Sequence, residues 1–526
     1  MPSEAGVNQI AGSSRQAESA SGVHWLALFL LLAAGTAARL LFLARKPFWF
    51  DECFSVEVAR VGWGNFLRLL WWREANMSLY YLLLRIWLGI RAQPGQSEFF
   101  IRSLSVLTDA ATLLAIYWLA RKLYDRRVGL IAAALFACNA YSVRYAQEAR
   151  SYALFVLLAT LSSGLLIALV REPTRPHRMA YVLVSVLAVY AHFYALLLLA
   201  AHWLALRELG SAGLSEDSAN SESRAELAAQ MRRAWIAIGV AVLPLLVFVA
   251  KTGAGPLRWI PRPGTGDLLR LCTYVTNGYP VIYFSACLLA LLPLRGELLA
   301  RSRNWEKWRV HFLLLWLLFP VVLTALLSWA RPVFLARYMI FCLPALLILV
   351  AAGLSALRPP WLGALIVSLT LILSAHAVPF VYAHDFDQER DAAVAAASFI
   401  LDHAQPGDAV VFHIAETRIP YEFVRSQRAG ENTASRNFTA QLGPEILFPH
   451  HGAGLDYRDF TGKPTADFVR AAVPGHARVW IMLMNNGPAE KPDATTVMLA
   501  KTLPESFPRM ESWQFTRVEV FLYSKQ

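Results

Sequence analysis

The chain has 526 residues, of which 56% are hydrophobic and 16% charged, and its formal net charge is +12. This composition excludes an ordinary soluble protein of this length and indicates a protein that crosses a membrane many times. The arginines cluster between apolar segments, so we interpret the positive charge as a sign of membrane topology and expect no nucleic-acid partner. The five cysteines have no paired spacing, which indicates neither a disulfide framework nor a zinc site.

A hydropathy window of about 19 residues predicts about eleven membrane spans. They lie at 24–43, 103–120, 128–145, 151–170, 179–191, 192–206, 234–250, 280–294, 311–329, 337–356 and 361–379. The stretch 179–206 is either two short spans or one long tilted helix, and only two spans keep the basic loops on one face. With the N-terminal tail (residues 1–23) in the cytoplasm, the C-terminus then lies outside, in the periplasm of a bacterium.

The segment Lys46 to Glu52 reads Lys-Pro-Phe-Trp-Phe-Asp-Glu and follows the first predicted span. Its aromatic residues are typical of a membrane interface. Removing carboxylates from water is costly, so Asp51 and Glu52 either find a cation or a metal there, or face water. These residues alone leave open whether the pair is functional or is simply a solvated part of a loop.

The residues that follow, 53–102, form the predicted first outer loop. This loop is too long for a hairpin and too charged to cross the membrane. Its pattern predicts amphipathic helices in the outer interface, one around Phe66 to Leu70 and one over Leu79 to Ile90. The alternative for Leu79 to Ile90 is a short buried helix, which leaves the topology unchanged. The polar residues 74–78 interrupt the two helices and can point back toward the membrane surface.

A second outer turn, Arg144 to Tyr152, precedes an apolar helix. Glu148 is here either a helix cap or a functional acid, and Arg150 is either an interfacial side chain or a functional cation.

Two guanidiniums at one interface suit a phosphate, with lipid headgroups as the alternative ligand. Arg331 and Arg337 form such a pair. The segment 251–279, rich in Gly and Pro, predicts a mobile loop over an outward cavity.

The composition changes to that of a soluble domain from about Ala383. The pattern predicts a helix over Glu389 to His403 and a turn at 406–408. Strands are predicted at Ala409–Ile414, Val479–Met484 and Val518–Tyr523, so residues 383–526 are expected to form a small α/β domain. His413, Glu416, His450 and His451 lack a metal-ligand spacing and are interpreted as ordinary polar residues.

Several of these motifs together resemble bacterial C-type (GT-C) glycosyltransferases, in particular the protein mannosyltransferase-like and aminoarabinose transferase-like families. The motifs are the acidic pair, the interfacial helices, the segment Asn76 to Tyr81, the turn Gln147 to Tyr152, and Arg337-Tyr338 at the start of a late span. The resemblance covers roughly residues 24–380. It departs from the family at 76–80, because many relatives have a His or Lys followed by Pro-Pro-Leu-Tyr where this chain has Asn-Met-Ser-Leu-Tyr.

The resemblance implies an all-α polytopic membrane protein, with a transmembrane domain over 24–382 and a C-terminal soluble α/β domain. It also implies a multi-pass enzyme of the bacterial inner membrane that takes a sugar from a polyprenyl-phosphate donor. The sugar would pass to a lipid, glycan or protein acceptor on the outer face. By analogy Asp51 is the catalytic carboxylate, with Glu52 as its neighbour.

The residue types suit this chemistry independently of the resemblance. Asp51 can accept the acceptor's proton, and Arg337, with Arg331 or Arg150 as further candidates, can stabilise the leaving phosphate. Glu148 can orient the acceptor or help Asp51 to hold a divalent metal ion. We expect further substrate contacts from Asn76, Tyr80, Gln147, Tyr152, His192 and Tyr338.

The alternative function is a transporter or lipid flippase, which also needs many spans and intramembrane polar groups. Such proteins usually place their polar groups near the middle of the bilayer, often in broken helices arranged as two repeats. Here the polar groups gather at one face and no internal repeat is evident, so the pattern favours a transferase.

Overall fold

The computed structural model describes residues 23–90, 97–211, 219–253, 260–291, 305–383, 391–432, 443–451, 454–484 and 492–525. Nearly all of the predicted N-terminal tail therefore lies outside the described residues. The helices before residue 384 are α1 (Val23–Leu40), α2 (Phe50–Arg60), α3 (Trp63–Trp72), α4 (Ser78–Ile90), α5 (Glu98–Leu123), α6 (Arg126–Ala137), α7 (Ala140–Ala146), α8 (Tyr152–Arg171), α9 (Arg175–Ala191), α10 (Ala195–Ser211), α11 (Ala219–Thr252), α12 (Thr265–Val275), α13 (Pro280–Leu291), α14 (Trp305–Ala330), α15 (Leu343–Ala356) and α16 (Pro360–Ala383). A 3-10 helix, Ala336–Cys342, leads directly into α15.

Seven helices of the described residues are long and apolar enough to cross a membrane, or up to nine if each of two bent pairs counts as one span. The bent pairs are α6 with α7, at 62°, and α12 with α13, at 77°. The stretch 179–206 holds two helices of 17 residues each, α9 and α10, which matches the two-helix interpretation. The remaining two of the eleven predicted spans are α9 and α10, which at 17 residues are shorter than the helices counted above. Each predicted span overlaps a helix or a bent pair, and residues 292–294 of the span 280–294 lie outside the described residues.

The two bent pairs are hydrogen-bonded to each other at their breaks. Asn139 caps α7, and its side-chain amide donates to the carbonyl of Val275 at 3.2 Å. In return, the side-chain oxygen of Asn277 accepts from the backbone N–H of Ala140 at 2.9 Å. Backbone groups freed by a helix break need such partners inside a membrane. The contact fixes where α7 begins, and this seven-residue helix leads to the turn over 147–151.

The described residues of the predicted first outer loop contain most of α2, all of α3 and α4, and the start of α5. The two predicted helices are present as α3 and α4, and α3 is amphipathic, since it buries Phe66 and Leu69 and exposes Trp63 and Trp72. Helix α2 is not among the predictions, because its sequence is polar and short. The segment 251–279, predicted as a loop, contains α12, where Asp267 accepts from the backbone N–H of Gly264 at 2.8 Å.

The C-terminal residues form a five-stranded sheet in the order β2-β1-β3-β5-β4. The strands are β1 (Ala409–Phe412), β2 (Glu445–Phe448), β3 (Arg478–Met484), β4 (Arg509–Phe515) and β5 (Val518–Ser524), and the helices are α17 (Ala393–His403), α18 (Arg418–Asn432), α19 (Ala466–Ala472) and α20 (Ala494–Thr502). Strands β1, β2 and β3 are parallel, whereas β5 pairs antiparallel with β3 and β4. The three predicted strands are confirmed. The other two are a four-residue edge strand and an edge strand with exposed polar residues, which carry weak sequence signals.

The sheet domain packs against the first outer loop. Phe423 of α18 stacks on Phe48 just before α2, with ring centroids 5.0 Å apart. Phe460 meets Phe54 of α2 edge to face at 5.6 Å. The domain therefore lies directly beside the helix that begins with the acidic pair.

Candidate active site

The two acidic residues of the pair have different surroundings. Glu52 is fully buried, and both of its carboxylate oxygens accept from the Arg102 guanidinium at 2.7 Å. One of those oxygens also accepts from the backbone N–H of Ala149 at 2.9 Å. The carboxylate of Glu52 thus joins α2, α5 and the turn over 147–151, and its oxygens are occupied by protein groups.

Asp51 lies in the first turn of α2, where the helix dipole favours a negative charge. Its carboxylate is 3.5 Å from the guanidinium of Arg150, and its side chain remains 20% exposed. Arg150 also donates to the Asp51 carbonyl and to the Ser55 hydroxyl, each at 3.3 Å. Asp51 is therefore the member of the pair that is both paired with a cation and open to a ligand.

A second buried guanidinium belongs to the same site. Arg337, in the 3-10 helix before α15, is 8% exposed and lies 5.7 Å from the Trp49 ring centroid. It repels Arg150 electrostatically and interacts with Tyr152. Two buried like charges beside one another suit an anion with more than one negative charge. Arg331, by contrast, is exposed.

An aromatic wall adjoins these charges. The ring of His192 is 4.9 Å from that of Tyr338 and 6.3 Å from that of Tyr152. The Nδ1 atom of His192 accepts from the backbone N–H of Tyr194 at 3.2 Å, which leaves the proton of the neutral ring on Nε2. Within the described part of the chain, this Nε2 and the buried hydroxyl of Tyr152 have no hydrogen-bond partner. Buried polar groups without partners are rare, so both atoms are available to hydrogen-bond a ligand.

Glu74 adds a third acid, which is absent from the sequence-based candidates. It lies in the polar segment between α3 and α4 and interacts electrostatically with Arg150 and Asp51. Burial raises the pKa of its carboxyl to about 7, against the opposing effect of Arg150. The signal in the sequence is an acid within the polar interruption of an otherwise amphipathic loop.

Other expected site residues are bonded to protein groups. The side-chain amide of Gln147 donates to the carbonyls of Arg39 and Leu41, at 2.9 and 2.7 Å. The Tyr80 hydroxyl bonds to Ser105 at 3.1 Å, and the side-chain oxygen of Asn76 accepts from the backbone N–H of Phe193 at 3.1 Å. The hydrogen bonds of these three side chains connect the segments around the site. Sequence spacing does not predict this role.

Glu148 is fully buried and lies 3.9 Å from Arg144, whereas Asp51 faces Arg150. Among the described residues, no group of three or more His, Cys, Asp or Glu side chains is arranged to hold a metal ion. The divalent ion expected from Asp51 and Glu148 stays a prediction, and no chemical step below depends on it.

No family model and no curated protein matches this sequence. Among solved structures, the chain is similar to ArnT from Cupriavidus metallidurans in the apo state, with 12% identity, a TM-score of 0.60, and coverage of 96% of this chain and 99% of that one. The same protein bound to undecaprenyl phosphate matches with 12% identity, a TM-score of 0.56 and coverage of 95% and 98%. The Archaeoglobus fulgidus oligosaccharyltransferase in complex with Zn and sulfate matches with 11% identity and a TM-score of 0.52, over 76% of this chain and 61% of that chain. These likenesses show the fold, and they confirm the GT-C architecture predicted from the sequence.

Proposed function

We propose that this protein is a membrane glycosyltransferase that moves a sugar from a polyprenyl-phosphate donor to an acceptor at one face of the membrane. The proposal rests on one arrangement. The accessible carboxylate of Asp51 lies close to two buried guanidiniums, those of Arg150 and Arg337. The fold supports it, since the similar structures include a protein bound to undecaprenyl phosphate.

In the proposed reaction, Asp51 is the general base. A hydroxyl or amino group of the acceptor attacks the anomeric carbon of the sugar, and Asp51 takes its proton. The bond between that carbon and the phosphate oxygen breaks, and its electron pair leaves with the polyprenyl phosphate. A single displacement inverts the anomeric carbon, so one carboxylate is sufficient. Arg150 holds the Asp51 carboxylate in place through their ion pair.

Arg337 stabilises the negative charge that develops on the leaving phosphate, and Arg150 is the second cation. Both side chains are buried, so their field is weakly screened by water. The Nε2 proton of His192 and the hydroxyl of Tyr152 are further donors for the phosphate or the sugar hydroxyls. Arg331 is exposed and has no role in this proposal.

The proposed orientation follows from where these residues sit in the chain. Asp51 follows α1, Arg150 precedes α8, His192 lies between α9 and α10, and Arg337 precedes α15. With the N-terminus in the cytoplasm, these positions share the outer face of a bacterial inner membrane, beside a periplasmic C-terminal domain. A lipid, glycan or protein is the acceptor there, and the donor's chain lies among the membrane lipids.

The test is transfer of radiolabelled sugar from a panel of polyprenyl-phosphate donors in membranes that contain wild type or Arg337→Ala. Arg358→Ala is the matched control, because Arg358 is exposed and lies beyond the other end of α15. We expect Arg337→Ala to lower transfer about 100-fold and the control to leave it unchanged. Equal activity of the two variants would refute the assignment. A wild type that transfers no sugar but moves lipid or solute would favour the transporter.

A further inference from the structure

Helix α2, which begins with Asp51 and Glu52 in its first turn, lacks an N-terminal cap from its own sequence. Trp49 occupies the cap position and makes no side-chain capping bond. The first backbone N–H groups of a helix have no partner within the helix and usually bond to a side chain nearby in the sequence. Here the partner comes from far along the chain, since Oδ2 of Asp391 accepts from the N–H of Phe50 at 3.4 Å.

The same carboxylate begins a second helix. Its other oxygen, Oδ1, accepts from the backbone N–H of Ala393, the first residue of α17, at 3.1 Å. One side chain thus bonds to the N-terminus of α2 in the membrane-spanning part and to the N-terminus of the first helix of the sheet domain. A negative charge is favourable at both positions because of the helix dipoles.

Further contacts with the same domain follow along α2. The domain touches the start of the helix through Phe423 on Phe48 and its middle through Phe460 on Phe54. At the end of α2, Arg60 donates to the hydroxyl of Ser426 at 2.8 Å. The domain therefore contacts α2 at its start, middle and end, and among the described residues Asp391 is the one whose side chain bonds to the backbone beside Asp51.

We propose that Asp391 is a positioning residue for Asp51, through which the C-terminal domain fixes the first turn of α2 and hence the place of the carboxylate. Asp391 lies within electrostatic range of Asp51, and its two oxygens are bonded to backbone groups. It acts on the reaction only through α2. The consequence for catalysis rests on the proposed function, whereas the effect on α2 does not.

The test compares wild type with Asp391→Ala and Asp391→Asn in the full-length protein, with Asp467→Asn as control because that side chain is 99% exposed. Amide hydrogen exchange is followed in a peptide that spans residues 48–56. Loss of the cap is expected to speed exchange at Phe50 about tenfold in Asp391→Ala. Asn keeps one acceptor oxygen, so Asp391→Asn is expected to lie between wild type and Asp391→Ala.

Transfer kinetics distinguish positioning from a merely structural contact. We expect Asp391→Ala to lower kcat about tenfold with the KM for the donor unchanged, and Asp391→Asn to restore part of kcat. Unchanged exchange at the start of α2, or a loss of donor affinity with kcat unchanged, would overturn the inference. If Asp391→Ala does not fold, amide exchange and kcat of Asp391→Asn test the inference instead. A wild type without transferase activity would refute the proposed function, while the exchange result would still decide whether Asp391 fixes α2.

Discussion

Asp51 and Glu52 are adjacent in the sequence, but the fold gives their carboxylates different surroundings. By residue type both are candidate acids, and only the family resemblance favours Asp51 until the fold shows that Glu52 faces Arg102, which is 50 residues away along the chain. The residue type and its place after the first span could be predicted, because carboxylates at an interface are unusual. The difference between their surroundings could not be predicted from the residues alone, because it depends on which cation the fold brings to each carboxylate.

The buried pair predicts a stability difference between two neighbouring substitutions. Glu52→Gln removes the partner of a buried guanidinium, so we expect a loss of about 3–5 kcal/mol. Asp51→Asn is expected to cost less than Glu52→Gln, because the Asp51 side chain is 20% exposed and Arg150 keeps its bonds to the Asp51 carbonyl and to Ser55. Thermal unfolding of the purified protein in detergent measures both. Equal melting temperatures for the two variants would contradict these roles.

Tyr152 predicts opposite changes in stability and activity. Its buried hydroxyl has no bond within the described residues, so Tyr152→Phe should leave stability unchanged or slightly higher. If that hydroxyl binds the donor, transfer should fall about tenfold. Tyr80→Phe is the matched control, since its hydroxyl bonds to Ser105 and its loss should lower stability by about 1 kcal/mol. Full transfer by Tyr152→Phe would remove this hydroxyl from the site.

At the scale of helices, hydropathy located the spans but not their breaks. The predicted span 128–145 passes a hydropathy window as one segment, yet the chain bends by 62° after α6. The bend is stabilised by a hydrogen bond from the side chain of Asn139 to the carbonyl of Val275, 136 positions away. The same holds for α2, whose polar sequence alone predicts no helix and whose start is bonded to Asp391.

Asn277 offers a test of the contact between the two breaks. Its φ is 55°, a left-handed conformation that disfavours alanine but suits glycine, and its side chain bonds to Ala140. Both Asn277→Gly and Asn277→Ala lose that bond, so we expect both to melt earlier than wild type. Alanine adds about 1–2 kcal/mol of backbone strain. A measured order in which Asn277→Ala is the more stable of the two would contradict this explanation.

At the scale of the whole molecule, the composition change near Ala383 correctly predicts an α/β domain with three of its strands. Its docking on α2 is not predictable, because the contacts depend on Phe423, Phe460 and Ser426, which carry no motif. These contacts place the domain beside the first outer loop.

The contact between α2 and α18 predicts a dependence of stability on pH. Glu57 is buried there, and burial followed by the charge of Glu422 raises its pKa from 4.5 to about 7 against the attraction of Arg60. An acid with a raised folded pKa contributes stability that is present below pH 4.5 and is lost as pH rises through about 7.

Between pH 5 and 8 we therefore expect the melting temperature of wild type to fall more than that of Glu57→Gln. The difference corresponds to at most about 3 kcal/mol. Asp467→Asn, at an exposed acid, serves as the control and should follow wild type. Parallel pH curves for wild type and Glu57→Gln would show that the pKa of Glu57 is not raised at this contact.

The most direct test of the proposed site is the activity of Asp51→Asn beside Asp467→Asn, with polyprenyl-phosphate binding measured on the same purified samples. If Asp51 is the general base and Arg337 holds the phosphate, Asp51→Asn should lose about 100-fold or more of its transfer activity. It should still bind polyprenyl phosphate as wild type does. Full transfer by Asp51→Asn, with binding retained, would contradict the assignment of this carboxylate and of the site built around it.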